Sequence, residues 1–92
     1  MKRTLFIQVK CEMGRTYEVA EAVNQVEFVS EVYSISGQYD LMIQCYIQDD
    51  SIDIGRFVTE KIQKVKGIRE TFTIIAFNAF PRLAVASGGH GC

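Results

Sequence analysis

Hydrophobic period switches back and forth along this chain, from two to 3.6 and back again, in an order that few architectures satisfy. Leu5, Ile7 and Val9 alternate with Thr4, Phe6, Gln8 and Lys10, the period of a strand with one face more apolar than the other, and Gly14 ends the run. From about Arg15 to Val26 the apolar residues Val19, Ala22, Val23 and Val26 recur at i, i+3, i+4 and i+7. That spacing predicts a helix with those four inward and Glu18, Glu21 and Gln25 outward. Two strand-like runs follow, Val29 to Ser36 and Leu41 to Gln48, and Gly37-Gln38-Tyr39-Asp40 between them reads as a hairpin connection. Leu41, Ile43, Cys45 and Ile47 form the core side of the second run.

A second helix is expected to begin at Asp49, Asp50 and Ser51, which offer capping oxygens and negative charge, and to carry Ile54, Phe57, Val58, Ile62 and Val65 at helical spacing. Lys61 falls within that stripe, so its stem is expected to lie along the core with the ammonium in water. Lys64, Lys66 and Gly67 are C-terminal signals, and Ile68 to Phe80, rich in β-branched and aromatic residues, predicts the last strand. Strand, helix, strand, strand, helix, strand is the split βαβ plan of ferredoxin-like α+β domains, an antiparallel sheet with both helices on one face. A chain of 92 residues holds one such core, residues 1–80, followed by a tail, 81–92, that turns glycine-rich at its end.

With Leu5, Ile7, Val9 and the inward residues of the Leu41 run beneath the helices, the opposite sheet face displays Phe6, Gln8, Met42, Gln44 and Tyr46, joined by apolar side chains of the last strand. Burying one large apolar side chain is worth about 1.5–3 kcal/mol, so a cluster left in water favours association. A homodimer with the two sheets facing each other is the expected outcome.

Charge and cysteine content narrow the function. Ten basic and eleven acidic residues leave a net charge of −1, which gives no general pull toward nucleic acid or an anionic membrane. The apolar opening is interrupted at Gln8 and Lys10, too early for a secretory signal, and no run approaches the roughly 18 apolar residues of a membrane span. A cytoplasmic protein is expected. Cys11, Cys45 and Cys92 are an odd set without close spacing and read as reduced thiols. His90 and Cys92 are two donors where metal sites use three or four, so no metal and no cofactor are expected. No serine or cysteine has a recognisable base partner and no glycine loop can cradle phosphate, so no catalytic residues are assigned.

Val32-Tyr33-Ser34-Ile35-Ser36-Gly37-Gln38-Tyr39-Asp40-Leu41-Met42 resembles the segment "v-y-x-v-x-G-x-Y/F-D-l" of the Lrp/AsnC ligand-binding domain, the domain for regulation of amino-acid metabolism. Gly67-Ile68-Arg69-Glu70-Thr71-Phe72-Thr73-Ile74-Ile75 looks like that family's second motif, "G-V-x-x-T-x-T-x-i", at the expected distance, and the likeness runs from about Leu5 to Phe77. The resemblance implies a ferredoxin-like subunit that dimerises through its sheet, assembles into rings of dimers and binds small effectors, typically amino acids, between dimers. Members often carry an N-terminal helix-turn-helix domain, for which there is no room ahead of Leu5, so the chain is expected to be a sensing module that acts in transcriptional or metabolic regulation, in mixed assemblies with full-length regulators. Two departures stand out: Glu27-Phe28 replaces the family's common Pro-Gly before the second strand, and the chain continues past Asn78, the usual domain end.

The expected ligand residues are Gly37, Tyr39, Asp40, Thr71 and Thr73. A carboxylate at Asp40 can accept the ammonium of an amino acid, or simply close the turn. Gly37 tolerates positive φ and lets backbone approach a ligand closely. Tyr39 either lines a pocket or fills a dimer contact. Thr71 and Thr73 lie two apart on a strand, so both hydroxyls face one side, where they grip a polar ligand or merely suit a strand; Arg69 is a neighbouring charge on that side. The alternative is an enzyme of the dimeric α+β barrel kind, such as a small monooxygenase, which would need a chamber within each subunit between helices and sheet.

Overall fold

The computed structural model describes residues 2–83, and the His90–Cys92 pair lies outside them. Its elements are β1 (Arg3–Cys11), α1 (Thr16–Val23), β2 (Val29–Ser34), β3 (Leu41–Ile47), α2 (Ile54–Phe57) continuing directly into a π-helical turn (Val58–Ile62), and β4 (Ile68–Ala76). The sheet order is β2-β3-β1-β4, antiparallel throughout. The ferredoxin-like order of elements is as the periodicity predicts.

Register fixes which side chains face the helices. Leu5, Ile7 and Val9 of β1 sit opposite Cys45, Ile43 and Leu41 of β3 and opposite Ile75, Thr73 and Thr71 of β4. The β1 and β3 members of these rows, with Ile47, are 0–1% exposed and pack with Val19 and Val23 of α1 and with Phe57, Val58 and Ile62. At about 1.5–3 kcal/mol for each large side chain, these rows dominate the favourable side of folding.

The helices depart from expectation in three places. Regular α1 ends at Val23 rather than Val26, because Gln25 and Val26 donate to Ala22 and Val23, three residues back, in a tightened last turn. Within the regular helix Ala22 is exposed, and Ala20 packs against the core instead. The second helix is capped by Asp53, whose carboxylate accepts the Arg56 N–H at 3.1 Å, and not by Asp49 to Ser51. Asp49 closes its own turn, accepting from Ser51 N–H at 2.9 Å and Ser51 Oγ at 2.7 Å, and these bonds hold its carboxyl below the usual carboxylate range. Within the second helix Gln63 N–H donates to the Val58 carbonyl five residues back, at 2.8 Å. Val58 and Ile62 are buried through this wider turn, and Lys61 between them is exposed.

β4 stops at Ala76, opposite Thr4 of β1, short of Phe80. Phe28 adopts φ +74 at the Glu27-Phe28 departure, a left-handed conformation unusual for a bulky residue. Its carbonyl accepts Tyr46 N–H at 3.0 Å and its ring meets Phe57 edge-on at 5.7 Å. No described helix is long and apolar enough to cross a membrane.

Candidate functional site

The β2–β3 connection is built around Asp40. Ile35 N–H donates to the Asp40 carbonyl at 3.0 Å, Asp40 N–H donates to the Val9 carbonyl at 2.9 Å, and Gly37 holds φ +114 at the loop tip. A register shift between Lys10 and Cys11 releases the Cys11 N–H from the ladder, and Asp40 Oδ2 accepts it at 2.8 Å. Lys10 Nζ reaches the Gln38 carbonyl at 2.9 Å from the same strand end. Asp40 therefore closes the turn and caps a bulge through Oδ2. Burial pushes the Cys11 thiol up, helped by the Asp40 charge and opposed by a hydrogen bond with Thr16.

Val9 links the two motifs. Its carbonyl takes the Asp40 N–H and its Cα partner on β4 is Thr71, so the hairpin carboxylate and the threonine flank one residue of the central strand. Thr71 and Thr73 face the helix side, opposite Val9 and Ile7, and Thr71 Oγ1 accepts from Gln63 Nε2 at 2.9 Å. Arg69 is exposed at the β1–β4 irregularity, between Ile68, opposite Cys11, and Glu70, opposite Lys10. Tyr39 goes to the other face, stacking on Phe72 at 6.3 Å with 25° between the rings. Gly37, Tyr39, Asp40 and Thr71 thus lie toward one end of the sheet but on two sides of it, and Thr73 stands opposite Ile7 at mid-strand. Gln63 is a polar neighbour of Thr71 that apolar periodicity does not flag.

Clefts of about 440, 340 and 240 Å³ exist in the single subunit, and none is lined by Gly37, Tyr39, Asp40, Thr71 or Thr73. Among the described residues no group of three or more metal-ligating side chains is placed to hold an ion. Between helices and sheet the inward side chains of β1 and β3 are packed at 0–1% exposure. The opposite face is open: Tyr33 is 46% exposed, Tyr46 38%, Phe72 52% and Ile74 40%, around half-buried Phe6, Gln8, Met42 and Gln44.

A family profile described as the Lrp/AsnC ligand binding domain matches residues 4–83, reaching past Asn78. An uncharacterized HTH-type transcriptional regulator of Pyrococcus horikoshii, PH1916, is 32% identical over 60 residues, covering 65% of this chain and 39% of the regulator. A homocitrate synthase of Sulfolobus acidocaldarius is 35% identical over 68 residues, covering 73% of this chain but 14% of the synthase. The chain thus spans well under half of either relative. Among solved structures, TTHA0845 from Thermus thermophilus superposes with a TM-score of 0.78 at 32% identity, covering 87% of this chain and 99% of that one. The transcriptional regulator NMB0573 of Neisseria meningitidis, solved as a complex with L-Met, shares the fold with a TM-score of 0.74 at 17% identity, covering 87% of this chain and 53% of that one.

Proposed function

Because the chain belongs to the Lrp/AsnC ligand-binding-domain family, whose members here include transcriptional regulators, we propose that it is a cytoplasmic effector-sensing and oligomerisation module. Two copies pair through the open sheet faces, dimers join further, and an amino acid lodges in the seams beside Asp40 and Thr71. Full-length regulators of the family are its natural partners in mixed assemblies.

The open face is the observation that carries this reading. Phe72, Ile74, Tyr33 and Tyr46 stand in water on one side of a sheet whose other side is filled. At about 1.5–3 kcal/mol for full burial of each large side chain, covering even half of that area supplies several kcal/mol toward pairing. The half-exposed Gln8 and Gln44 on the same face pair across a seam or with water. The divided placement of the five ligand residues also favours a seam, since none of the three clefts described above is lined by any of them.

An amino acid needs an acceptor for its ammonium and donors for its carboxylate. Asp40 Oδ1 supplies the first through a charge-assisted bond, and the threonine hydroxyls and the loop N–H groups around Gly37 supply the second. The bound L-Met of the Neisseria regulator supports an amino acid as the effector class. The synthase relative supports a module that serves hosts other than DNA-binding proteins. A barrel enzyme would need a chamber between sheet and helices, and the packing of Leu5, Ile7, Ile43 and Ile47 at 0% exposure supports the regulatory reading instead.

Titration calorimetry against the twenty amino acids, paired with size analysis of each mixture, tests the proposal. A ligand shifts assembly only by its differential affinity for the two states, so heat and a change of size are expected from the same compound. Absence of heat from all twenty overturns the sensing role.

A further inference from the structure

The open face carries the cleft of about 440 Å³, and it lies at the Thr4 end of the sheet, away from the Gln8 row where Phe72 stacks with Tyr39. Register lays its floor: Tyr46, Thr4 and Ala76 sit side by side across β3, β1 and β4, with Gln44 and Phe6 in the next row. The chain leaving β4 at Phe77 and Asn78 forms the wall. Its volume falls in the range of about 300–1,000 Å³ that small-molecule sites occupy.

One positive charge and several hydrogen-bond donors surround it. The Lys2 ammonium sits 4.8 Å from the centre of the Tyr46 ring, and among the described lining residues Lys2 carries the only charge. Gln44 Nε2 donates to the Tyr46 hydroxyl at 2.6 Å, so that oxygen is already an acceptor and its own proton is free to be donated. Thr4 and Asn78 add a hydroxyl and an amide N–H₂. The carboxylate next along the row, Glu31, opposite Gln44 on β2, is engaged by the Tyr33 hydroxyl. Phe6 and Phe77 offer ring faces to an apolar body.

We propose that this cleft is a second small-molecule site, separate from the seam at Asp40 and Thr71, which takes a monocarboxylate with an aromatic body. The carboxylate pairs with Lys2 and accepts from the Tyr46 hydroxyl, while the ring lies between Phe6 and Phe77. Free amino acids are discriminated against, because their ammonium would face Lys2 with no lining carboxylate to receive it. All of its described lining residues belong to one subunit, but Phe6, Gln44 and Tyr46 lie on the face proposed to form the dimer, so a ligand with unequal affinity for single and paired subunits changes the pairing constant.

The test is titration of the isotope-labelled full chain with phenylacetate, followed by amide chemical shifts. Saturable shifts are expected at Lys2, Thr4, Phe6, Tyr46 and Asn78, with no saturable response there to phenethylamine or L-phenylalanine. Lys2→Met is expected to weaken phenylacetate at least tenfold, whereas Lys64→Met, which removes the same charge from an exposed site near the second helix, leaves affinity unchanged. No saturable shift, an equal response to phenethylamine, or full affinity in Lys2→Met overturns the proposal. Amino-acid shifts confined to Asp40 and Thr71 report on the seam and not on this cleft, so the two sites succeed or fail separately.

Discussion

Replacing Gly67 by alanine should be among the most damaging single-methyl changes this chain can undergo. Gly67 follows the second helix at φ +99, and its carbonyl accepts the Glu12 N–H at 2.7 Å, tying the start of β4 to the end of β1. A Cβ there would lie 2.8 Å from Val19 Cγ2 and 3.3 Å from Arg15 Cδ. The arginine stem is partly exposed and can swing aside, but Val19 is 0% exposed and its β-branched side chain has little rotamer freedom in a helix. The left-handed backbone costs an L-residue about 1–2 kcal/mol. Forcing a methyl into packed core costs a further ~1–3 kcal/mol. The expected loss is the sum, about 2–5 kcal/mol, read as a lower urea midpoint at unchanged slope. Gly37→Ala is the control, since φ is +114 there but nothing lies within 4 Å of the added methyl, so only the backbone cost applies. Val19→Ala in the Gly67→Ala background removes the clashing methyl, and the double variant should lose less than the sum of the single losses by about 1–3 kcal/mol. All variants are compared at one protein concentration, because the proposed pairing would contribute to stability. Equal losses for Gly67→Ala and Gly37→Ala, together with strict additivity in the double variant, would refute the clash.

Further outcomes follow from other sites. Phe28→Ala loses the contact with Phe57 and keeps the strained φ, whereas Phe28→Gly loses the contact and relieves the strain; thermal melts should place the glycine variant above the alanine variant by about 1 kcal/mol. Burial raises the Cys45 thiol to about 11 from 9.0, so the folded state favours the protonated form. Its contribution is complete below pH 9 and is lost as pH rises from 9 to 11, by at most about 2.7 kcal/mol; Cys45→Val should remove that part of the pH dependence, seen as a difference between the two stability profiles. Asp40→Asn keeps an acceptor for the Cys11 N–H but loses the charge, so urea unfolding should change little while amino-acid heats disappear. Asp40→Ala strands that N–H and should also cost about 1–3 kcal/mol of stability.

The sheet was legible in the sequence because a period of two leaves no freedom about which residues point inward. Leu5, Ile7, Val9, Leu41, Ile43, Cys45 and Ile47 are all buried, as the alternation requires. The open face followed from the same alternation, since Phe6, Gln8, Met42, Gln44 and Tyr46 are the residues left over. Helix details were harder to read because they depend on bonds between specific turns. Asp49 and Asp53 have equal capping chemistry, and only the chain path decides that Asp53 accepts from Arg56 while Asp49 turns back on Ser51. The π turn from Val58 to Ile62 likewise has no signature in the apolar spacing, since Val58 and Ile62 stand four apart as in an ordinary helix. At the candidate site, the sequence marked Asp40 and Thr71 but not the β1 irregularity that gives Asp40 its N–H partner, nor Gln63 beside Thr71. The Lys2 cleft needed the register of three strands and the path of the chain after Ala76, neither of which has a local pattern.

Pairing through the open face is the claim on which the sensing role stands, and sedimentation equilibrium across a dilution series measures it directly. The wild-type chain should sediment as a dimer or a multiple of it at low micromolar concentration, and Ile74→Lys, which sets a charge among the exposed apolar residues, should shift it to single subunits without loss of secondary structure. A wild-type chain that stays a single subunit throughout the series, with Tyr33, Tyr46, Phe72 and Ile74 left in water, would contradict the account.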